Sequence, residues 1–254
     1  MLNRAVVFAD PHIPFHEPRC VDILCSLIRD VRPHVIVNLG DTFAFQMYSR
    51  HSKTHVDLRA LTECQDEGNA LYDKIQSAKQ SARSSSHKQT ALEVCLEGNH
   101  DGHPERMAAN ENVALRGFIT VPRLLDFKRR GVKWVSTEAQ ESGYKLGPVY
   151  LTHGWCAGPQ HGQKHLQRWP GRSMMYGHVH KNGMATSHGF RPEQQYRAIS
   201  VGTLGVTHPA WNRGRSEDWQ NGIALYWWTD SGKWDVELYH IDPKNGAIIH
   251  GKEY

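Results

Sequence analysis

The chain has 254 residues, of which 39% are hydrophobic and 22% are charged. These are the proportions of an ordinary soluble globular protein, and they exclude the disordered and fibrous classes. The formal net charge of +4 is mildly basic, which is compatible with a polyanionic partner and equally with a solvated surface of mixed charge. The 17 histidines are unusual. Because histidine is a common transition-metal ligand, they favour metal chemistry.

The cysteines and the N-terminal segment indicate where the protein works. The 5 cysteines are odd in number and form no C-x-x-C pair, so neither a disulfide framework nor a structural zinc module is indicated. The apolar stretch near the N-terminus, Ala5 to Ala9, is too short for an export signal or a membrane span. We therefore expect a cytoplasmic protein with no membrane partner, and the length fits one domain over residues 1–254.

The N-terminal segment has the pattern of a β-α-β unit. Two apolar runs of strand length, residues 5–9 and 35–39, flank a segment with apolar residues at helical spacing. This pattern predicts two parallel strands that are buried on both faces. Since the carboxyl ends of parallel strands meet at one edge of a sheet, we expect Asp10, His12 and Asp41 to lie close together.

The remaining elements alternate less regularly. A helix is predicted from about residue 58 to 80 and a strand over 91–96, followed by irregular helical turns up to residue 127. A short helix is predicted over 160–169. Beyond residue 131, short apolar runs separated by turn signals predict a second, largely antiparallel sheet. The predicted strands of this part are 132–135, 144–146, 149–152, 174–176, 184–187, 196–201, 223–228 and 234–239.

Five of the predicted strands stop on aspartate, asparagine or histidine. Carboxylate, amide and imidazole groups together form a mixed nitrogen and oxygen site, which suits Mn, Fe, Zn or Ni better than Ca or Mg. The candidate ligands are too many for one ion, but they suffice for two ions that share a bridging carboxylate, as in phosphoryl transfer. The candidates are Asp10, His12, Asp41, Asn99, His153, His178 and His180.

Two further groups of residues have alternative interpretations. His161 and His165 lie four residues apart on the short predicted helix, so they are candidates for a third ion, although solvent exposure or phosphate contact is the simpler interpretation. The aromatic residues 226–228 with Trp234 are candidates for a nucleic-acid stacking platform. Packing within the sheet is the favoured interpretation of this aromatic group.

Five sequence blocks that carry the candidate ligands occur in a fixed order along the chain. They are Asp10-x-His12, Gly40-Asp41, Gly98-Asn99-His100-Asp101, His153 and Gly177-His178-x-His180. This pattern closely resembles the calcineurin-like metallophosphoesterase superfamily, and residues 48–51 and 219–223 resemble its small phage and bacterial members. The resemblance implies a four-layer α/β/β/α sandwich of two mixed β-sheets flanked by helices, with a dinuclear metal site at the strand ends.

The resemblance also implies a role for each residue. It makes His100 the group that contacts the scissile phosphate and protonates the leaving oxygen, with Asp101 orienting its imidazole and Asn99 contacting the phosphate. Arg50 is a further candidate for phosphate binding. A hydroxide that bridges two divalent ions is the implied nucleophile, with Mn²⁺ expected and Fe, Zn or Ni as alternatives. The implied ligands are Asp10, His12 and His180 for one ion, Asn99, His153 and His178 for the other, and Asp41 for both.

The chain departs from the pattern of the superfamily's protein phosphatases, and this departure bears on the substrate. Protein phosphatases of this superfamily carry a second aspartate and an arginine shortly after the Gly-Asp block, whereas Gly40-Asp41 is followed here by residues 42–45, Thr-Phe-Ala-Phe. We therefore favour a phosphodiesterase that acts on nucleotides or nucleic acid, with a DNA nuclease among the options. The alternatives are a phosphomonoesterase acting on nucleotides or proteins, and a non-catalytic metal-binding scaffold.

Overall fold

Strands and helices alternate along most of the chain. The computed structural model describes residues 1–48, 60–82, 90–111, 113–141, 143–191, 193–209 and 218–254. In the first part these include β1 (Leu2–Phe8), α1 (Pro18–Val31), β2 (Val35–Asn38), α2 (Leu61–Ser81), β3 (Leu92–Leu96), α3 (His103–Glu111), α4 (Val121–Leu124), α5 (Phe127–Arg130) and β4 (Val132–Val135). Short 3₁₀ helices cover Gln46–Tyr48 and Val113–Leu115.

The second part of the chain is richer in strands. Its elements are α6 (Thr137–Glu141), β5 (Tyr144–Leu146), β6 (Val149–Thr152), α7 (His161–Arg168), β7 (Met174–Tyr176), β8 (Gly183–His188), β9 (Gln195–Ser200), β10 (Gly222–Thr229), β11 (Trp234–His240), β12 (Ile248–Ile249) and β13 (Lys252–Glu253). The sequence analysis did not predict α6, β12 or β13. The last two pair with each other as an antiparallel ribbon near the C-terminus.

The first sheet has the strand order β11-β10-β1-β2-β3-β4. Strands β1 to β4 run parallel, whereas β10 and β11 are antiparallel additions at one edge. The register pairs Phe8 with Asn38 and Asn38 with Cys95, so β1, β2 and β3 end level with one another. The loops that follow these three strands therefore leave the same edge of the sheet, as the sequence predicted.

Helix α1 covers one face of this sheet. It begins with Pro18, whose ring suits the first turn of a helix, and it ends where Arg32 takes a left-handed conformation immediately before Pro33. Its apolar side packs with α2 and with sheet residues such as Phe8 and Ile36 in a buried cluster. The helical spacing in the sequence arises because these apolar residues must share one face.

The second sheet has the order β5-β6-β7-β9-β8. Two of its pairings are antiparallel and two are parallel, so the prediction of a largely antiparallel sheet was wrong. The segment between β6 and β7 contains α7, and a strand-helix-strand crossover of this kind places its two strands parallel. The turn signals between the short strands do not by themselves indicate the relative direction of β6 and β7.

The two sheets pack face to face. Val7 and Val37 of the first sheet share a buried cluster with Met175 and Ile199 of the second. Helices α1 and α2 cover the outer face of the first sheet, and α7 covers the second, with Leu166 against Met174. The structure thus has the expected four-layer α/β/β/α arrangement of two mixed sheets flanked by helices.

The aromatic group of β10 and β11 belongs to this core. Tyr226 and Trp228 are buried and their rings stack 4.8 Å apart, while Trp234 packs edge-on against Tyr226. Packing within the sheet is therefore the correct interpretation, and these rings are not a nucleic-acid platform. Among the described helices, none is both long enough and apolar enough to cross a bilayer.

Candidate metal centre

The loops that carry the candidate ligands have unusual backbone conformations. Non-glycine residues rarely adopt positive φ, and such strain persists where surrounding structure holds it, often at functional sites. Here the strained loops are held by one another, because the backbone N–H of Asp10 donates to Gly40 O and that of His12 donates to Asp41 O, both at 3.0 Å. The candidate ligands with positive φ are Asp10 (53°), His12 (49°), Asp41 (51°), His178 (68°) and His180 (55°).

Glycines in two of the sequence blocks make room for the carboxylates. A Cβ atom on Gly98 would lie 2.1 Å from Oδ1 of Asp41, and one on Gly177 would lie 2.7 Å from Oδ2 of Asp10. Any larger residue at either position would displace a carboxylate by direct collision. Each block therefore requires glycine, because an aspartate carboxylate lies too close to the backbone there for any side chain.

Asp41 lies at the centre of the site. Its Oδ1 accepts the backbone N–H of His100 at 2.8 Å, and its Oδ2 lies 3.3 Å from Nε2 of His153 and 3.8 Å from Nε2 of His12. Burial opposes ionisation, but the surrounding imidazoles outweigh it and hold the pKa of Asp41 well below its ordinary value. Asp41 therefore remains a carboxylate with imidazoles on two sides.

One group of potential ligand atoms consists of Asp10, His12 and His180. The Nε2 atoms of His12 and His180 lie 2.9 Å apart, the separation of two ligands at right angles on one ion with bonds of about 2.1 Å. Burial is the main cause that lowers the pKa of His12 well below its ordinary value and that of His180 to about 3. Both imidazoles are thus neutral, as metal ligands must be.

Asp10 completes this group as a deeply buried carboxylate. It accepts the backbone N–H of His178 at 2.9 Å, and its Oδ1 lies 3.8 Å from Nε2 of His180. Burial raises the pKa of Asp10 well above its ordinary value. A nearby cation would remove this penalty, because it stabilises the charged form.

Of the other two groups of potential ligand atoms, one consists of His12, Asp41 and His100, and the other of Asp41, His153 and His178, with Asn99 beside them. His153 donates Nδ1–H to Leu39 O at 3.0 Å, so the neutral imidazole presents an Nε2 lone pair. That atom faces Oδ1 of Asn99 at 3.0 Å as well as the Asp41 carboxylate. Lone pairs on three converging atoms repel unless a proton or a cation lies between them.

Electrostatics supports the same conclusion. Burial lowers the pKa of His153, but the carboxylates of Asp41, Asp10 and Asp101 outweigh it and raise this pKa to about 9. A position that attracts a proton so strongly also attracts a metal ion. The residues therefore fit a divalent transition metal, and the structure brings all seven candidate ligands together.

The structure corrects the role expected for Asp101. Its carboxylate accepts the backbone N–H groups of Gly98 at 2.9 Å, Phe43 at 3.0 Å and Thr42 at 3.2 Å. The imidazole of His100 is instead held by the carbonyl oxygen of Ala44, 2.8 Å from its Nδ1. Asp101 thus fixes the two ligand loops to each other and does not orient the imidazole, and burial followed by Asp41 raises its pKa to about 7.

Gln140 is a site residue that the sequence analysis missed. Its side chain is buried, and Nε2 donates to Glu97 O at 2.8 Å and to Val135 O at 3.2 Å. Its Oε1 accepts the backbone N–H of His153 at 2.8 Å. Gln140 therefore connects the loop before Asn99 to the strand end at His153, and a lone glutamine in a polar segment carries no sequence signal of this role.

The two histidines considered for a third ion are not ligands of the candidate metal centre. Arg50 is outside the described residues. His165 is fully buried, with Nδ1 2.7 Å from His161 O and Nε2 accepting the Trp155 N–H at 3.3 Å, and His161 contacts the Tyr176 hydroxyl at 2.6 Å. In the described part of the chain these two histidines serve packing, and they do not form a cluster of ligand atoms.

Two cavities meet at Asn99. The first, of about 250 Å³, is lined by His100 and ligand imidazoles together with the rings of Phe15 and Trp219; we call it the His100 cavity. The second has about 220 Å³ and is called the Trp155 cavity. Its lining includes Asn99, Arg106, His153, Trp155, Arg168 and Trp169.

No protein-family model and no curated protein matches the chain. Solved structures to which it is similar include Yfce, a phosphoesterase from E. coli (14% identity, TM-score 0.41, 97% of each chain covered). Vacuolar Protein Sorting 29 from Cryptosporidium parvum has 12% identity and a TM-score of 0.45, with 95% of this chain and 98% of that chain covered. Pseudomonas putida nuclease MPE has 16% identity and a TM-score of 0.36, with 91% and 85% covered.

Proposed function

We propose that the protein is a metal-dependent phosphodiesterase that binds two divalent transition-metal ions, Mn²⁺ first among them. The observation that carries this proposal is the convergence of carboxylate, amide and imidazole atoms from five separate segments, with Asp41 in the middle. The lone pairs around Asp41 Oδ2 and Asn99 Oδ1 are satisfied only by a proton or a cation. Asp10, His12 and His180 would hold one ion, Asn99, His153 and His178 the other, and Asp41 both.

The chain's own residues would bind the phosphate and assist the departing group. Two divalent ions, when bound, supply Lewis-acid stabilisation of the phosphoryl oxygens and activate water. His100 has its Nδ1 fixed by Ala44 O, which directs Nε2 away from the protein backbone and towards the cavity that His100 lines. From there it is positioned to donate a proton to the leaving oxygen. Asn99, which borders both cavities, is the proposed second phosphate contact.

The preference for a diester rests on the two cavities. A phosphodiester carries an organic group on each side of the phosphorus, whereas a monoester carries one. Because the His100 cavity and the Trp155 cavity both border Asn99, a phosphate there has space for an organic group in each. A nucleotide or nucleic-acid diester is the proposed substrate class, and a phosphomonoesterase is the second candidate.

The proposal also includes a cytoplasmic location and a single domain. The five cysteines are free thiols, in keeping with a cytoplasmic location. We propose one domain over residues 1–254, because the two sheets share one buried cluster.

The test combines metal analysis with two model esters. Protein incubated with Mn²⁺ and desalted should retain two ions per chain and should hydrolyse bis-nitrophenyl phosphate faster than mono-nitrophenyl phosphate. Faster hydrolysis of the monoester would favour the phosphomonoesterase. Retention of metal without hydrolysis of either ester would favour the scaffold alternative, and protein that stays metal-free would contradict the proposal.

A further inference from the structure

The Trp155 cavity contains a guanidinium group that lies over an aromatic ring. The guanidinium carbon of Arg168 lies 4.7 Å from the centroid of the Trp155 ring, and that ring packs against Trp169 at 4.8 Å. Arg168 is exposed, and no described residue supplies a carboxylate partner for it. A planar cation supported by an aromatic ring is a surface on which an unpaired base stacks.

A second arginine joins the cavity to the phosphate site. Nη2 of Arg106 donates to the backbone carbonyl of Asn99 at 2.5 Å, and the same side chain lines the Trp155 cavity. The position of Arg106 is thus coupled to that of Asn99. A group that extends from a phosphate at Asn99 into this cavity therefore meets a lining that includes both arginines.

The charges around the cavity indicate what kind of group fits. Arg106 and Arg168 are balanced by Glu97 and Glu141, which line the same cavity. A second phosphate gains little from a lining whose formal charge is balanced. A neutral group matches the cavity better if it has a flat ring that stacks on the guanidinium and hydroxyls that donate hydrogen bonds to the carboxylates. A nucleoside has these features.

We propose that the Trp155 cavity binds an unpaired nucleoside attached to the scissile phosphate, on the side opposite the leaving group. This inference rests on the proposed phosphodiesterase function. His100 lines the other cavity, and the group that it protonates leaves on that side, so the retained group lies across Asn99. The nucleoside must be unpaired because its ring stacks on Arg168, and the substrate class is therefore a dinucleotide or a single strand.

The test uses two diesters that share a leaving group. Nitrophenyl methyl phosphate and nitrophenyl thymidine phosphate, the latter linked through either sugar oxygen, differ only in the retained group. Wild-type protein loaded with Mn²⁺ should show a higher kcat/KM for one thymidine ester. The change Arg168→Gln should lower that value about tenfold, the effect of losing one stacking contact, and should leave the methyl ester unaffected.

Arg172→Gln is the matched control. Arg172 also stacks on aromatic rings, 4.7 Å from Tyr150 and 5.7 Å from Trp169, but it is not among the residues that line the Trp155 cavity. Its variant should treat both esters as the wild type does. Equal kcat/KM for the methyl and thymidine esters, or an equal effect of Arg168→Gln on both, would overturn the inference.

A binding measurement separates this inference from the proposed function. Metal-free protein is titrated with dithymidine joined by an uncharged methylphosphonate, and tryptophan fluorescence is followed. Arg168→Gln should weaken binding about tenfold, and Arg172→Gln should not. If neither diester is hydrolysed but this difference in binding is present, the proposed function fails and the nucleoside site stands. If the two variants bind alike, the nucleoside site is refuted whatever the activity.

Discussion

Two groups of buried charged side chains differ in how they are satisfied. Lys79 and Glu93 form an ion pair of 2.5 Å between α2 and β3, and Gln76 donates to both Glu93 oxygens at 2.7 and 2.8 Å. At the candidate metal centre, Asp10 and Asp41 are equally buried, but besides His153, whose pKa is raised to about 9, they face neutral imidazoles and an amide oxygen. The first group has one cation for its one carboxylate, whereas the second has two carboxylates for one imidazolium. The comparison teaches that unsatisfied charge, more than burial, identifies the functional site.

The largest effect is expected at Asp41. Among the described residues, Asp41 is the carboxylate placed to contact both proposed ions, so in Asp41→Asn the metal content should fall and hydrolysis of a diester should drop by about 10⁴-fold, the scale of several kcal/mol. Atomic absorption and steady-state kinetics measure the two quantities. The metal-free variant should be less stable than the metal-free wild type, because the low pKa of Asp41 means that the fold stabilises its carboxylate. Two ions still tightly bound would contradict the bridging role.

The opposite behaviour is expected at the complete pair. Lys79→Ala leaves the Glu93 carboxylate buried without its cation, which should lower the free energy of unfolding by about 3–5 kcal/mol in denaturant titration. Metal content and kcat should not change. Lys74→Ala is the control on the same helix, because Lys74 pairs with Asp22 in an exposed bridge that contributes at most about 1 kcal/mol. Equal losses in the free energy of unfolding of the two variants would mean that the buried pair contributes no more than the exposed one.

His100 tests whether an imidazole in the site acts without holding metal. His100→Ala should lower kcat for a diester with an alkoxide leaving group about a hundredfold, the scale of general-acid catalysis, while both ions stay bound. His188→Ala, an exposed histidine on β8, is the control and should behave as the wild type. Unchanged kcat in His100→Ala would remove His100 from the mechanism.

Gln140 tests how far the loops position the ligands. Gln140→Leu keeps the volume but loses the bond to the His153 N–H and the two bonds to carbonyl oxygens. The Mn²⁺ affinity of the proposed position that includes His153 should fall about tenfold, as it does when other groups that orient metal ligands are removed. Gln163→Leu removes a single exposed bond to Thr186 O and should leave Mn²⁺ titrations unchanged. Wild-type affinity in both variants would confine Gln140 to packing.

The smallest effect is a dependence of stability on pH. In the metal-free protein the pKa of His153 is about 9 against an ordinary 6.5, so the folded state holds a proton that the unfolded state releases. This stabilisation is complete below pH 6.5 and is lost as the pH rises through 9. Thermal unfolding midpoints should therefore fall across this window, and saturating Mn²⁺ should abolish the fall. A midpoint that does not change without metal would contradict the electrostatic account.

The sequence predicted the site better than it predicted the residues that support it. Asp10, His12 and Asp41 could be placed together because parallel strands bring their carboxyl ends to one edge. Gln140 could not be found, because hydrogen bonds to distant carbonyl groups leave no periodic pattern. The family resemblance implies that Asp101 orients the imidazole of His100, whereas the fold directs its carboxylate to three backbone N–H groups.

The fold was predicted to a similar extent. Continuous apolar runs revealed the buried strands of both sheets, since such runs need no information from distant residues. The direction of β6 relative to β7 depends on the crossover through α7, which turn signals alone do not specify. The Trp155 cavity was also beyond prediction, because Arg106, Trp155 and Arg168 meet only after both sheets are packed.

The most direct test of the central claim is an anomalous diffraction map of crystals soaked in Mn²⁺. The account predicts two peaks about 3.5–4 Å apart, both within bonding distance of the Asp41 carboxylate, one also touching His12 and the other His153. A map with no peak at these side chains, or with peaks that Asp41 does not contact, would contradict it.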